Sequence, residues 1–123
     1  MVTLRGRVIT GESIGTGLGY PTANLDYALA QQHRLHHGVW ACRVRLEHGE
    51  VFKGVAVVGV PYENNPNRRK FEVHILDWQG TLYGDEITVE LVQFMHGIKH
   101  YKTTDALQHS IKEDVEEARE ILE

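Results

Sequence analysis

Hydrophobic and polar residues alternate along much of this chain, and a period of two is typical of β-strands with one buried face. In residues 38–46, the alternation places Trp40, Cys42 and Val44 on one side of the predicted strand. Other alternating or β-branched segments are residues 2–9, 51–60, 71–78 and 86–95. With an extended segment around residues 22–24, the pattern predicts about six antiparallel strands in a closed barrel or a sandwich.

The segment at residues 71–78 is predicted to be a further strand of this series. Phe71, Val73 and Ile75 are predicted to lie on one face, and Glu72, His74 and Leu76 on the other.

The C-terminal segment has a helical period instead. Thr103 or Thr104 is suited to the N-cap, and Asp105 in the first turn favours the helix dipole. One apolar stripe follows at three- to four-residue spacing, formed by Leu107, Ile111, Val115, Ala118 and Leu122. Residues 26–37 lack a clean period, so we expect a loop there, with at most a short helical turn at residues 27–30.

Length and composition limit the class of protein. At 123 residues the chain is predicted to form a single domain, residues 1–123. Its net charge of −4 disfavours a nucleic-acid surface, which needs a clustered basic face. Neither a signal peptide nor a membrane-length apolar run is evident, so we expect a cytoplasmic protein. We also expect a monomer. The single Cys42 is predicted to be a small buried hydrophobic residue.

Three histidines lie close together at His33, His36 and His37, which raises the question of a metal site. Strong metal sites combine histidines with further ligands at defined spacing, and no such set is evident here. We therefore interpret the three as a solvated cluster.

Residues 11–25 carry the strongest candidate chemistry. Four glycines fall within nine residues, at Gly11, Gly15, Gly17 and Gly19. A P-loop is excluded because the segment has no lysine, and a dinucleotide-binding turn is disfavoured because Pro21 opposes helical geometry at the preceding residue. Two interpretations stay open: a plain glycine-rich hairpin loop, or a flap whose N–H groups hold phosphates.

Thr22 and Asn24 follow the glycines at a spacing of two. In an extended segment, side chains two apart point to the same side, so a hydroxyl and an amide oxygen would face one direction. Such oxygen ligands suit a hard cation such as Mg²⁺, which takes its other ligands from phosphates and water.

Four segments together resemble the riboflavin kinase (flavokinase) family. They are residues 11–25 with Gly-Tyr-Pro-Thr-Ala-Asn-Leu, residues 71–77 with Phe-Glu-Val-His-Ile-Leu-Asp, residues 82–84 with Leu-Tyr-Gly, and the acidic C-terminal helix. The resemblance implies a six-stranded antiparallel Greek-key β-barrel with a C-terminal helix. It implies transfer of the γ-phosphoryl of ATP to the ribityl 5′-hydroxyl of riboflavin, which gives FMN, with small molecules as partners and Mg²⁺ or another divalent cation as cofactor.

The resemblance also implies roles for individual residues. Glu72 matches the catalytic carboxylate, and Thr22 and Asn24 match the metal ligands. The nucleotide site would comprise Gly11, Gly15, Gly17, Thr22, Ile75, Asp77 and Tyr83. The flavin side would comprise His96, Lys99 and Tyr101. From the residues alone, Glu72 would be a surface carboxylate paired with Arg69 or Lys70, and that alternative stays open.

The sequence also departs from the family pattern. Thr16 stands where family members commonly carry Arg or Lys, His96 replaces a flavin-side arginine, and Val60-Pro61-Tyr62 differs from the usual bacterial motif. A histidine lacks the planar fork of arginine. These changes keep two further hypotheses open: a flavin- or nucleotide-binding module with impaired catalysis, and a kinase for a different small alcohol.

Overall fold

Six antiparallel strands form one sheet in the computed structural model, which describes residues 1–9 and 22–123. The strands are β1 (Val2–Arg7), β2 (Thr22–Leu25), β3 (Gly38–Arg45), β4 (Val51–Pro61), β5 (Arg69–Ile75) and β6 (Glu86–His96). Their order across the sheet is β1-β6-β3-β4-β5-β2. The successive neighbours β3, β4 and β5, with β6 returning beside β3, make a Greek key. The predicted fold class is confirmed.

The sheet curves so that its two edge strands approach each other. The backbone N–H of Ile9, just beyond β1, donates to the carbonyl of Asn24 in β2 over 2.8 Å. The concave side encloses the main core, where Phe71, Val73 and Ile75 are at most 1% exposed. Each such side chain contributes about 1.5–3 kcal/mol when fully buried. The predicted apolar face of β5 is therefore confirmed.

A second core lies between the other side of the sheet and the C-terminal helix α2 (Thr104–Ile121). Thr103 caps this helix, because its side-chain oxygen accepts a hydrogen bond from the Ala106 N–H at 3.0 Å. The predicted apolar stripe faces the sheet, and its buried members Val115, Ala118 and Leu122 belong to the second core. No helix in the described ranges has both the length and the apolar character needed to cross a membrane.

Two local predictions were wrong. Residues 26–37 are not simply a loop, because the helix α1 (Tyr27–Gln32) forms there with Asp26 accepting from the Ala28 N–H at 2.9 Å. Six residues are too few to show a periodic signal, and packing of Ala30 and its neighbours on the core stabilises them. The strand predicted at residues 71–78 ends at Ile75, and Asp77 lies in a turn at φ 60°. Asp is among the few residues that tolerate this left-handed backbone region.

Candidate active site

The convex side of β5 carries three buried polar residues. Lys70, Glu72 and His74 alternate with the core residues of the same strand, and they are only 3%, 6% and 5% exposed. Lys70 Nζ lies 3.5 Å from Glu72 Oε1, and His74 Nε2 lies 3.9 Å from Glu72 Oε2. A buried carboxylate needs such neighbours, because an isolated charge in the interior costs several kcal/mol. The alternative of a surface Glu72 is wrong, although its predicted pairing with Lys70 is present.

The strand register brings Glu72 next to the two predicted metal ligands. In the β2–β5 pair, Asn24 lies opposite Glu72, and Thr22 lies opposite His74. Residues directly opposite in an antiparallel pair have Cβ atoms about 4.5–5.5 Å apart. The structure therefore brings the hydroxyl, the amide and the carboxylate to one side of the sheet, while their catalytic and ligand roles stay predictions.

The Asn24 side chain fits a cation-binding role. Its Oδ1 atom is buried and has no hydrogen-bond partner among the described residues. An unsatisfied buried acceptor costs about 1–3 kcal/mol, so it calls for an explanation. An amide oxygen two residues from a hydroxyl, with a carboxylate opposite, is a donor set that suits Mg²⁺.

His74 is neutral in this environment. Burial lowers its pKa from 6.5 to about 4, because the charged imidazolium loses its hydration. Its Nδ1 atom is also buried without a hydrogen-bond partner in the described part of the chain. The polar face of β5 thus holds one cation, one acid and one neutral ring.

A cavity of about 440 Å³ lies between the convex face of the sheet and α2. Its lining includes Lys70, Glu72 and His74 on β5. The predicted flavin-side residues His96, Lys99 and Tyr101 line the same cavity. Its volume is in the range of small-molecule sites. The structure therefore places the predicted catalytic carboxylate and the predicted flavin-side residues around one space.

A single row of register partners connects the two sides of this site. His96 pairs with Val39, Val39 with Val57, Val57 with Glu72, and Glu72 with Asn24. Because neighbouring strands lie about 4.8 Å apart, the row from His96 to Glu72 spans roughly 14 Å. An elongated ligand lying along this row would place one end at β6 and the other at the carboxylate.

The polar groups of His96 and Tyr101 bind α2 and the local backbone. His96 Nε2 lies 2.8 Å from Asp114 Oδ1, and His96 Nδ1 lies 2.7 Å from the carbonyl oxygen of Gly97. Both partners are hydrogen-bond acceptors. The Tyr101 hydroxyl lies 2.5 Å from Ser110 Oγ, one helical turn before Asp114. The segment after β6 is thus tethered to one face of α2.

Comparison with known proteins bears directly on this site. The family model described as Flavokinase, riboflavin kinase, matches residues 1–122. This chain belongs to the riboflavin kinase family.

Two relatives of known name agree with this membership. The bifunctional riboflavin kinase/FMN adenylyltransferase of Haemophilus influenzae is 38% identical over 117 residues, which are 93% of this chain and 36% of that protein. The RNA-binding riboflavin kinase RibR of Bacillus subtilis is 28% identical over 94% of this chain and 49% of its own length. The chain thus spans less than half of the length of both curated relatives.

A solved structure supports the fold. The riboflavin kinase of Trypanosoma brucei aligns with a TM-score of 0.67 at 22% identity, covering 98% of this chain and 78% of that one. At 22% identity this similarity supports only the fold, that is, the arrangement of the sheet and the C-terminal helix.

The residues predicted for the nucleotide site are only partly covered by the described structure, and Ile75 and Tyr83 do not line the cavity. Gly11, Gly15, Gly17 and the departing Thr16 lie outside the described residues. Ile75 lies in the main core, so a nucleotide contact there would come from its backbone. Tyr83 is 65% exposed, and neither side chain lines the 440 Å³ cavity.

Asp77 also lies away from that cavity, and it has a partner of its own. Both of its carboxylate oxygens accept from Arg119 on α2, at 2.7 and 3.0 Å. This bidentate contact lowers the pKa of Asp77. Because Arg119 occupies both carboxylate oxygens, a nucleotide that contacts Asp77 would also meet Arg119. The nucleotide-binding role of Asp77 stays a prediction.

The structure also shows the surroundings of Cys42 and of two histidines of the 33–37 cluster. Cys42 is fully buried in β3, as predicted, and burial raises the pKa of its thiol, which opposes nucleophilic reactivity. His37 Nε2 lies 2.6 Å from the Tyr27 hydroxyl, and the His36 ring lies 5.3 Å from the Phe94 ring.

Sequence reasoning missed Lys70, His74, Ser110 and Asp114 as parts of the site. The first two share the face of β5 that carries Glu72, so strand alternation could have identified them. Ser110 and Asp114 had no local signal, because only the docking of α2 brings them to the segment after β6.

Proposed function

We propose that this chain is an ATP:riboflavin 5′-phosphotransferase, which forms FMN and ADP. The observation that carries the proposal is the position of Glu72, opposite Asn24 in the sheet and at the wall of the cavity that His96, Lys99 and Tyr101 also line. Family membership supports the same reaction.

Glu72 acts as the general base in this proposal. The ribityl 5′-hydroxyl gives its proton to the carboxylate, its oxygen forms a bond to the γ-phosphorus, and the bond to the β–γ bridging oxygen breaks to release ADP. A positioned carboxylate contributes roughly 10²- to 10⁴-fold to such a step. Alignment of the two substrates and compensation of phosphate charge supply much of the remainder, because phosphoryl transfer has a loose transition state.

Thr22 and Asn24 are the residues that would hold Mg²⁺ or another divalent cation. When bound, such a cation neutralises charge on the nucleotide phosphates. The buried Oδ1 of Asn24, which has no hydrogen-bond partner among residues 1–9 and 22–123, supports this assignment. Its position beside Glu72 would bring the γ-phosphoryl close to the attacking hydroxyl.

The flavin would occupy the cavity under α2. Apolar side chains such as Val39, Val57 and Ile111 contribute to its walls, which suits a flat aromatic ring system. The register row from His96 to Glu72 then orients the ring toward β6 and the ribityl chain toward the carboxylate.

The test is FMN formation by the purified protein with riboflavin, ATP and Mg²⁺, separated and measured by flavin fluorescence. We expect FMN and ADP in equal amounts, with turnover lost when the divalent cation is chelated. Absence of FMN with each of several nucleotides and divalent metals would overturn the proposal.

A second candidate, a kinase for a different small alcohol, is favoured by one observation. His96 occupies the position of a flavin-side arginine, but both of its ring nitrogens contact Asp114 and the Gly97 carbonyl. Phosphoryl transfer from ATP that is stimulated by another alcohol, with no FMN formed from riboflavin, would select this function over the riboflavin kinase.

A further inference from the structure

We propose that Lys70 is a positioning residue for Glu72, and this inference rests on the proposed kinase function. Its ammonium group holds one carboxylate oxygen so that the carboxylate keeps a fixed orientation toward the substrate hydroxyl. The residue is new to the site, because neither the sequence motifs nor the residues matched to the family assign it a role.

The burial of Lys70 is the first argument. The side chain is only 4% exposed, although lysine is among the residues least often buried. Removing an ammonium and a carboxylate from water costs several kcal/mol for each ion, and a buried ion pair is often no more stabilising than apolar residues of similar volume. Stability alone therefore gives little reason for this pair at the cavity wall.

The geometry around the carboxylate is the second argument. Lys70 Nζ lies 3.5 Å from Glu72 Oε1, whereas the nearest His74 nitrogen lies 3.9 Å from Oε2, beyond hydrogen-bond distance. Because Lys70, Glu72 and His74 occupy alternate positions on one strand, they point to the same side. Lys70 thus restrains the carboxylate of Glu72 through its Oε1 atom.

The ring of Tyr62 supports Lys70 from another direction. Lys70 Nζ lies 5.5 Å from the ring centroid, and the Arg68 guanidinium carbon lies 4.9 Å from it, both within the range of cation–π attraction. The Tyr62 N–H also donates to the Arg68 carbonyl over 2.9 Å, which closes the loop between β4 and β5. This contact gives a physical reason for a tyrosine at the Val60-Pro61-Tyr62 departure.

The test is a double-mutant cycle on turnover with Lys70→Met, Glu72→Gln and the double variant. If Lys70 acts through Glu72, Lys70→Met lowers kcat about 10-fold or more while KM for riboflavin changes less than about 3-fold. In the Glu72→Gln background the same change alters kcat by less than about 2-fold, because the coupled effects are not additive. Lys70→Arg, which keeps the charge, restores part of the kcat.

Two controls separate positioning from folding. Lys112→Met removes an exposed lysine of α2 that is outside the cavity lining, and it should leave kcat unchanged. Tyr62→Leu keeps the ion pair and removes the supporting ring, so it should lower kcat by a smaller factor than Lys70→Met does. If Lys70→Met does not fold, the cycle is made with Tyr62→Leu and Glu72→Gln, and Tyr62→Leu should then change kcat by less than about 2-fold in the Glu72→Gln background.

The outcomes are distinct. A wild-type protein that forms no FMN overturns the kinase function and this inference with it. An active wild type in which Lys70→Met leaves kcat unchanged, or lowers it by the same factor with and without Glu72, overturns the role of Lys70 alone.

Discussion

The two faces of β5 are similarly buried and chemically opposite. Phe71 is 1% exposed and Val73 is fully buried on the concave face, while Glu72 and His74, at 6% and 5%, lie on the convex face. The first pair packs in the main core, and the second pair lines the cavity under α2. One strand therefore belongs to the folding core on one side and to the candidate active site on the other.

Burial by itself therefore does not distinguish the core from the candidate site in this protein. On the concave face, burial removes apolar surface from water and stabilises the fold. On the convex face, the same burial desolvates titratable groups and raises the free energy of their charged forms. Substitutions on the two faces should consequently change different measured quantities.

The largest expected effect comes from Glu72→Gln on the convex face. The amide cannot accept the proton of the substrate hydroxyl, so kcat for FMN formation should fall roughly 10²- to 10⁴-fold while riboflavin binding, measured by fluorescence quenching, stays within a few fold. Glu50→Gln, in the exposed turn between β3 and β4, is the matched control. Unchanged turnover in Glu72→Gln would show that the carboxylate is not the base.

The next effect is a pH dependence of stability that belongs to the convex face. The pKa of His74 is about 4 in the folded protein, where burial lowers it from the ordinary histidine value of 6.5, so the unfolded chain binds the proton first as the pH falls. The stabilisation is complete above pH 6.5 and is lost progressively down to about pH 4, by roughly 3 kcal/mol in total. Denaturant unfolding from pH 7.5 to 4 should therefore show a steeper loss in wild type than in His74→Gln. Parallel curves would contradict the assignment.

On the concave face, Val73→Ala should change stability and not chemistry. Loss of two buried methyl groups and the resulting cavity should lower the free energy of unfolding by roughly 2 kcal/mol. The kcat of the folded fraction should match that of wild type, and the pH dependence of unfolding should parallel it. A large loss of kcat without loss of stability would remove the distinction between the two faces.

The smallest expected effect concerns the far end of the cavity. Asp114→Asn removes the charge that holds His96, so the segment after β6 loses part of its tether to α2. A hydrogen bond to a charged group contributes about 1.5–3 kcal/mol. We expect only part of this free energy to affect riboflavin binding, so the affinity for riboflavin should fall roughly 3- to 10-fold while kcat stays unchanged. Glu117→Gln, exposed on α2, serves as the control. Equal affinity in both variants would separate the tether from flavin binding.

Much of the architecture could be predicted from local sequence patterns. The period of two separated Phe71 and Val73 from Glu72 and His74, and the cap at Thr103 with its following stripe located α2. Both patterns work because strand and helix periods are set by the backbone of neighbouring residues. Helix α1 and the end of β5 at Ile75 escaped prediction, since both depend on short segments stabilised by contacts with distant residues.

Local patterns in the chain indicate which residue types could perform phosphoryl transfer and on which strand face each would lie. Two further features depend on tertiary packing. Strand β2 pairs with β5, which places Asn24 opposite Glu72, and α2 covers the convex face, which completes the cavity with Ser110 and Asp114. Short segments of sequence do not reveal these features, because strand pairing and helix docking depend on the burial and hydrogen bonding of the whole sheet.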